Sequence, residues 1–314
     1  MCRLSLSNLG LAFGLVVWTA CASVGRVDTD RPAVVYITDF GLRDGAVSAM
    51  KGVARGVDPG LVLEDLSHEI KPFDVWEAAY RLTQTAPYWP NRTVFVCVID
   101  PGVGTSRKSV VAKTKNGKLF VTPDNGTLTL VQDQLGFVEV REISAAIRLP
   151  GSEQSSTFHG RDVYSLTGAL LASGELSFEA IGPVVDSAQL IRFEYPVATV
   201  SSPAEANGVT RWKGMIPVLD PNFGNVWTNI PANDVSKLLG DRSNLSVTIH
   251  RDTELVYSGQ LPWARSFGEV PLGSPLLYSN SLGDFAIALN QGSFAAQYEI
   301  SAGPNWLIQI ETQP

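Results

Sequence analysis

The strongest constraint on the fold is an apolar, β-branched run at residues 93–99 that leads directly into Asp100-Pro101-Gly102. A continuous run of this kind is typical of a strand buried on both faces of a parallel sheet. A similar run at 33–37 ends just before Asp39, and a third begins at residue 61. The segments between these runs carry apolar residues at helical spacing. The order strand, helix, strand, helix, strand therefore predicts an α/β N-terminal domain with a largely parallel sheet.

The pattern changes near residue 195. Residues 196–207 are rich in Ser, Pro and Ala, which is typical of a linker, and short alternating segments such as 246–249 and 306–310 follow. Alternation at period two predicts antiparallel strands. We therefore expect an α/β domain at 32–195, a linker at 196–207 and an antiparallel β-barrel domain at 208–314.

The composition of residues 1–31 predicts an export signal followed by a tether. Residues 9–20 are almost wholly apolar, and Cys21 follows the small residues Thr19 and Ala20. A short apolar core before small residues predicts an export signal, and the Cys predicts lipidation at Cys21. An exported, membrane-anchored bacterial lipoprotein of the periplasm or cell envelope is therefore expected. An ordinary secretory signal and an N-terminal membrane anchor remain open, although the run is short for a spanning helix.

Composition excludes several classes of function. Hydrophobic residues make up 45% of the chain and charged residues 18%, which indicates a globular protein. The net charge is −7 with no basic stripe, so a nucleic-acid partner is disfavoured. Three Cys cannot build a disulfide framework, and the three His are too scattered to predict a metal site.

Four residues of the predicted α/β domain could carry chemistry. Asp39 follows a buried strand, where it is either a loop carboxylate or the acceptor for a ribose diol. Asp100 and Arg107 flank a Gly-containing turn, either as an ion pair that holds the loop or as a catalytic pair. His159 precedes a predicted helix at 163–171, where a structural role and a proton-accepting role are both open.

Six short motifs occur in the order and spacing of one known family. They are Thr38-Asp39-Phe40-Gly41, Asp100-Pro101-Gly102-Val103-Gly104, Pro123-Asp124-Asn125-Gly126, Phe158-His159-Gly160-Arg161-Asp162, the loop from Asp220 to Asn225, and Asn280-Ser281. On these motifs the chain resembles the S-adenosyl-L-methionine hydrolase (adenosine-forming) family, also called SAM hydroxide adenosyltransferases, to which the fluorinase and chlorinase are related. The resemblance covers roughly residues 33–312.

The resemblance implies a homotrimer whose active sites lie between the N-terminal domain of one subunit and the C-terminal domain of its neighbour. It implies a catalytic triad of Asp100, Arg107 and His159. It also implies a set of substrate-binding residues: Asp39 for the ribose diol, Asp220 and Ser281 for the methionine end, and Phe223, Asn225 and Phe267 near the adenine. The halogenases lack the Asp and His of the triad and have a halide-binding Ser where this chain has Gly160.

The expected reaction is hydrolysis of S-adenosyl-L-methionine to adenosine and L-methionine by attack of an activated water at C5′. The small molecule is the substrate, and neither a cofactor nor a metal is expected, because the electrophile is already a sulfonium cation. Two alternatives remain open. One is an exported lipoprotein that binds adenosine or an adenosyl compound without turnover, and the other is a halide-using enzyme.

Overall fold

A computed structural model describes residues 32–201, 208–233 and 244–312, together with Val235 and Leu239. The expected export signal at 1–31, with Cys21, lies outside the described residues. Among the residues that are described, no helix has the length and apolar character needed to cross a bilayer.

The N-terminal half is built on one mixed sheet of seven strands, in the order β2-β1-β3-β5-β4-β6-β7. Strands β2, β1, β3 and β5 pair in parallel, whereas β4, β6 and β7 are antiparallel, so the expected parallel part forms one side of the sheet. The elements are β1 (Val34–Thr38), α1 (Ala46–Val57), β2 (Leu63–Ser67), α2 (Val75–Thr85), a 3₁₀ turn (Ala86–Tyr88), β3 (Val94–Val98), β4 (Ser109–Thr114), β5 (Leu119–Pro123), α3 (Thr129–Leu135), β6 (Phe137–Glu142), a π-helical turn (Gly160–Ser165), α4 (Leu166–Ser173), a 3₁₀ turn (Phe178–Ala180), β7 (Val184–Val185) and a 3₁₀ turn (Ser187–Gln189).

Strands β1 and β3 are buried along their whole length, as their apolar runs predict. Successive side chains point to opposite faces, so each strand contributes to two core layers. The chain leaves β1 toward β2 on one side and reaches β3 on the other, so a topological switch point lies between β1 and β3. Thr38 and Val98 are paired there, which places Asp39 and Asp100 just beyond the same edge of the sheet.

Helix α2 joins the two halves of the described chain. It begins at a cap in which the Asp74 carboxylate accepts a hydrogen bond from the Glu77 N–H at 2.9 Å. The indole N–H of Trp76 donates to the Pro217 carbonyl at 2.9 Å, and Arg81 donates to the Leu219 carbonyl at 2.9 Å. Both acceptors belong to the C-terminal half, so α2 fixes that half against the sheet.

The C-terminal half contains antiparallel strands in two sheets, β10-β14-β13 and β12-β11-β15-β9-β8. The two sheets enclose one apolar core, in which the rings of Trp212 and Trp263 each pack at an angle on Phe285. The elements are β8 (Thr199–Ser201), β9 (Arg211–Ile216), β10 (Val226–Pro231), β11 (Asn244–Arg251), β12 (Glu254–Pro262), a 3₁₀ turn (Phe267–Glu269), β13 (Pro275–Ser279), β14 (Asp284–Leu289), α5 (Phe294–Gln297) and β15 (Gly303–Glu311).

The C-terminal architecture differs from the expected barrel in one respect. The antiparallel pairing is as predicted, but the strands of the described residues form two separate sheets and no closed barrel. Alternation identifies strands without specifying which edges pair, so closure could not be deduced from the pattern. Residues 199–201, inside the predicted linker, form β8, which pairs with β9 at the edge of the larger sheet.

Candidate functional site

A cavity of about 240 Å³ opens beyond the carboxyl ends of β1 and β3. Asp39, Asp100 and His159 line it, although they lie far apart in sequence. Its remaining walls are largely apolar and include Phe40 and Phe158, whose rings meet edge to face with centroids 5.9 Å apart. Apolar walls with a few convergent polar groups are typical of a small-molecule site, and this one lies at the topological switch point.

Arg107 connects Asp100 to His159. Its Nε donates to Asp100 Oδ1 at 2.8 Å, and its Nη2 donates to Asp100 Oδ2, so the pair is bidentate. The same Nη2 lies 3.0 Å from His159 Nδ1. Since a guanidinium only donates, Nδ1 accepts this hydrogen bond. Asp100, Arg107 and His159 are therefore held as one hydrogen-bonded unit, with the carboxylate and guanidinium almost fully buried.

Neighbouring groups hold this unit in place. Arg107 Nη1 donates to the Ser109 hydroxyl at 2.9 Å, and that hydroxyl lies 2.9 Å from the Tyr164 hydroxyl. The Arg107 guanidinium also lies over the Tyr164 ring, 5.7 Å from its centroid. The amide of Asn125 donates to the Ile99 carbonyl at 2.9 Å and fixes the turn in front of Asp100. The motif around Asn125 thus acts by supporting the strand end.

His159 is kept in its neutral form by its surroundings. Burial, followed by the positive charge of Arg107, lowers the pKa of its imidazole below the ordinary value of 6.5. With Nδ1 accepting from Arg107, the neutral ring carries its proton on Nε2. The site therefore presents a neutral imidazole that donates through Nε2–H and a carboxylate that is paired with a cation.

Asp39 lies on another wall of the same cavity, and its carboxylate is fixed by a residue that sequence reasoning did not identify. Asp39 Oδ2 accepts a hydrogen bond from the Phe73 N–H at 2.9 Å. Phe73 has a φ of 69° and its side chain is 72% exposed on the rim of the cavity. An exposed aromatic residue in the left-handed region is unusual. The only signal in the sequence is an aromatic residue after Pro72 in a polar loop.

The residues expected near the adenine line a different cavity. Phe223, Asn225 and Phe267 surround a space of about 890 Å³ in the C-terminal half. Phe223 is 66% exposed there. The loop that carries Phe223 and Asn225 is closed by Asp220, whose carboxylate accepts from the N–H groups of Asn222 at 3.2 Å and Phe223 at 3.4 Å. This polar loop is therefore a turn that presents an aromatic ring to solvent.

Ser281 lines neither the cavity at Asp39 nor the cavity at Phe223. It lines a third cavity, of about 740 Å³, between α2 and the C-terminal strands. Asp284 borders the same space, and burial raises its pKa to about 6. Within one chain, the structure brings together Asp39, Asp100, Arg107 and His159. It places Phe223, Asn225 and Phe267 together elsewhere.

Within the described residues, no group of three or more His, Cys, Asp or Glu side chains is arranged to hold a metal ion. Cys97 in β3 is buried and has no disulfide partner in the part of the chain that the structure describes. Burial raises the pKa of its thiol to about 12, so it is not poised as a nucleophile.

Comparison with known families gives two matches along the chain. Residues 34–182 match the family model of the SAM hydroxide adenosyltransferase N-terminal domain, and residues 214–307 match that of the C-terminal domain. The two matches cover the mixed sheet and most of the antiparallel strands.

Individual proteins are similar over most of their length. An (R)-S-adenosyl-L-methionine hydrolase of Thermus thermophilus is 34% identical over 266 residues, which cover 83% of this chain and 92% of the relative. A fluorinase of Actinoplanes sp. is 28% identical over 296 residues, covering 87% of this chain and 95% of the relative. A crystal structure of an uncharacterized conserved protein from Thermotoga maritima superposes with a TM-score of 0.76 at 33% identity, covering 88% of this chain and 99% of that one.

Proposed function

Because the chain belongs to the SAM hydroxide adenosyltransferase family, we propose that it hydrolyses S-adenosyl-L-methionine to adenosine and L-methionine. The family uses this molecule as a substrate and needs no cofactor. The similarity to (R)-S-adenosyl-L-methionine hydrolases, at 34% identity over most of both chains, supports hydrolysis. The observation that carries the proposal is the hydrogen-bonded unit of Asp100, Arg107 and His159 on the wall of a cavity that also holds Asp39.

The chemistry requires a positioned water more than it requires a leaving-group acid. Water attacks C5′ from the side opposite the sulfur, the C5′–S bond breaks, and both electrons of that bond stay on sulfur. Methionine therefore leaves as a neutral thioether. Holding one water in line with the C5′–S bond provides most of the rate acceleration. The bound water reacts as if it were part of the same molecule as the substrate, so no bimolecular encounter is needed.

The hydrogen bonds of the triad support the following role for each member. His159 Nδ1 is occupied by Arg107, so the imidazole orients the water by donating from Nε2–H to its oxygen. Asp100 takes the proton that the water loses, since a carboxylate keeps acceptor capacity after it has received two hydrogen bonds from Arg107. Arg107 holds both groups in the orientation that the attacking water requires. The proton then passes to solvent.

Substrate binding is proposed to need a second copy of the chain. Asp39 accepts the two ribose hydroxyls, Phe223, Asn225 and Phe267 hold the adenine, and Asp220 with Ser281 holds the methionine end. Within one chain these residues line three separate cavities: Asp39 lines the first, Phe223, Asn225 and Phe267 the second, and Ser281 the third. The exposed aromatic rings of Phe73 and Phe223 border the first two. A homotrimer with sites between neighbouring subunits accounts for this separation.

A halide-using reaction is the second candidate, favoured by the similarity to fluorinases at 27–28% identity. Gly160 argues for water as the nucleophile. A Cβ at this position would lie 3.3 Å from atoms of Phe40, Val98 and Phe158, so a halide-binding Ser would fit there only if its neighbours shifted. Asp100 and His159 are both present, which is the hydrolase pattern implied by the resemblance.

The assay that tests the proposal is incubation of the purified protein, without added metal, with S-adenosyl-L-methionine in ¹⁸O-labelled water. Equal amounts of adenosine and methionine should form, with the label at the adenosine 5′ oxygen. Parallel reactions contain fluoride or chloride. A 5′-halogenated adenosine would favour the halogenase, and bound ligand without turnover would favour the non-catalytic binding lipoprotein.

A further inference from the structure

A relay of side chains, buried at Thr38 and His68 and partly exposed at Asp65 and Lys51, ends at the residue before Asp39. Thr38, the last residue of β1, is fully buried, and its hydroxyl lies 2.8 Å from His68 Nδ1. The opposite ring nitrogen, Nε2, lies 2.9 Å from Asp65 Oδ1, and Lys51 Nζ donates to the other oxygen of Asp65 at 2.6 Å. The His68 side chain is only 2% exposed. None of these four residues lines the cavity at Asp39.

The hydrogen bonds of the relay run in one direction. Partial burial would raise the pKa of Asp65, but hydrogen bonds from Lys51 and His68 outweigh it and hold that pKa below its ordinary value. Asp65 is therefore an anion that accepts from His68 Nε2–H. With the ring proton on Nε2, Nδ1 accepts from the Thr38 hydroxyl. The Thr38 oxygen in turn accepts from the Phe40 N–H at 3.2 Å.

This last hydrogen bond spans Asp39. The Thr38 hydroxyl bonds to the N–H two residues further along, which is the pattern of a turn closed by a Thr side chain. Such a turn is weak on its own, because a free hydroxyl can rotate away. Here the ring of His68 fixes the hydroxyl in the orientation that accepts from Phe40.

Two further hydrogen bonds attach the Asp39 loop to the loop that follows β2. The Gly41 N–H donates to the His68 carbonyl at 2.7 Å, and the Phe73 N–H donates to Asp39 Oδ2 at 2.9 Å. Gly41 has a φ of 65°, a conformation that glycine adopts without steric cost. His68 therefore contacts the Asp39 loop through both its side chain and its backbone.

We propose that His68 is a positioning residue for substrate binding: through the Thr38 hydroxyl, it holds the backbone on both sides of Asp39 so that the carboxylate meets the ribose diol. This role rests on the proposed function of Asp39. A residue that only stabilised the core would change the unfolding temperature, but it would not change affinity for the ribose selectively.

The decisive variants are Thr38→Val and Thr38→Ser. Valine keeps the shape of Thr38 and removes the hydroxyl, whereas serine keeps the hydroxyl. Loss of a hydrogen bond of this kind corresponds to about a tenfold effect, so Thr38→Val should raise KM about tenfold and leave kcat within about twofold. Thr38→Ser should have a KM close to that of the unmodified protein.

Further variants separate positioning from stability. Thr228 in β10 is a matched control, since its buried hydroxyl donates to the Phe285 carbonyl and accepts from the Ile230 N–H, also two residues further along. Thr228→Val should lower the unfolding temperature without changing KM. A pair of His68 variants replaces Thr38→Val if that protein is too unstable to assay. His68→Gln offers an amide oxygen toward Thr38 and an N–H toward Asp65 and should retain a near-normal KM, whereas His68→Leu offers neither and should raise KM about tenfold. Equal KM values in the two variants would overturn the positioning role.

The double variant Thr38→Val/Asp39→Ala tests whether the effect passes through Asp39. If it does, Thr38→Val should change KM by less than about twofold once Asp39 is absent. An unchanged KM in Thr38→Val, or an equal effect with and without Asp39, would overturn the positioning role while the unmodified protein still forms adenosine.

Failure of the proposed reaction has a different signature, namely no adenosine from the unmodified protein. In that case the same variants are compared by calorimetric titration with adenosine. Positioning of Asp39 predicts about tenfold weaker binding for Thr38→Val, and equal binding by the two proteins would overturn it.

Discussion

Arg107 Nη2 lies 3.0 Å from His159 Nδ1 while the same guanidinium holds both oxygens of Asp100. One planar group thus connects Asp100 and His159, which lie 59 residues apart in sequence. Removal of Arg107 would release both of them at once. The three residues are therefore expected to behave in kinetics as one unit.

Asp100→Ala should lower kcat by ~10²–10⁴-fold, the range expected for loss of a proton acceptor. Arg107→Ala and His159→Ala should lower kcat to a similar extent, because each disrupts the same hydrogen-bonded unit. The triple variant should be little worse than the most damaging single variant, because all three act on one water. Steady-state kinetics with S-adenosyl-L-methionine measures this. Arg192→Ala removes a surface ion pair with Asp133 and serves as the matched control, with kcat unchanged. Near-normal turnover in the three single variants would contradict the assigned water site.

The pH dependence of kcat/KM should reflect His159. Burial and the charge of Arg107 lower the pKa of the His159 imidazole, so the ring is neutral at pH 7 and the enzyme should be fully active at that pH. Protonation occupies Nδ1 and breaks the hydrogen bond from Arg107, so activity should fall as the pH drops through the lowered pKa. The midpoint of the acid limb should therefore lie below pH 6.5. A midpoint above pH 6.5, or an unchanged acid limb in His159→Gln, would show that the pH dependence does not come from His159.

Asp39→Asn should act on binding. The amide can no longer accept hydrogen bonds from both ribose hydroxyls, so KM should rise at least about tenfold with a smaller change in kcat. Calorimetric titration with adenosine should give a matching loss of affinity. Asp186→Asn is the control, since the Asp186 carboxylate also accepts from a backbone N–H but lies in a distant turn. A drop in kcat at constant KM would place Asp39 at the reacting atoms instead.

Mixed oligomers test whether sites form between subunits. His159→Ala inactivates the part of a site that the N-terminal half contributes. Asn225→Ala inactivates the part that the C-terminal half contributes, where adenine is expected to bind. If each site combines the two parts from different chains, random mixing at equal amounts should restore about a quarter of the sites. Co-expression with two affinity tags, followed by activity measurement, reveals this. Mixed oligomers as inactive as their parents would mean that each site belongs to one chain.

Cys21→Ser tests the expected lipid anchor. If Cys21 is the lipidated first residue of the mature protein, intact mass should include a lipid adduct, and the protein should fractionate with membranes. The Ser variant should lose the adduct and leave the membrane fraction. A variant that stays equally membrane-bound and is cleaved elsewhere would favour an ordinary signal or an anchor.

Local patterns in the sequence determined most of the elements. The apolar run at 93–99 became β3, the apolar residues at helical spacing after the run at 33–37 became α1, and Asp74 caps α2 with Glu77. These features depend on neighbours within a few residues, through strand burial, helical periodicity and capping. The arrangement of the C-terminal strands in two separate sheets depends on which strand edges pair. An alternating sequence pattern carries no information about the pairing of edges.

The sequence by itself also determined the residue types of the site and their order, and it placed Asp39 and Asp100 at strand ends. Only the tertiary structure decided that Arg107 is shared between Asp100 and His159, that the Phe73 N–H holds Asp39, and that His68 reaches Thr38. Each of these contacts joins loops at the ends of different strands or helices. Their geometry depends on how the sheet stacks those elements and on a left-handed φ at Phe73, and neither can be deduced from neighbouring residues alone.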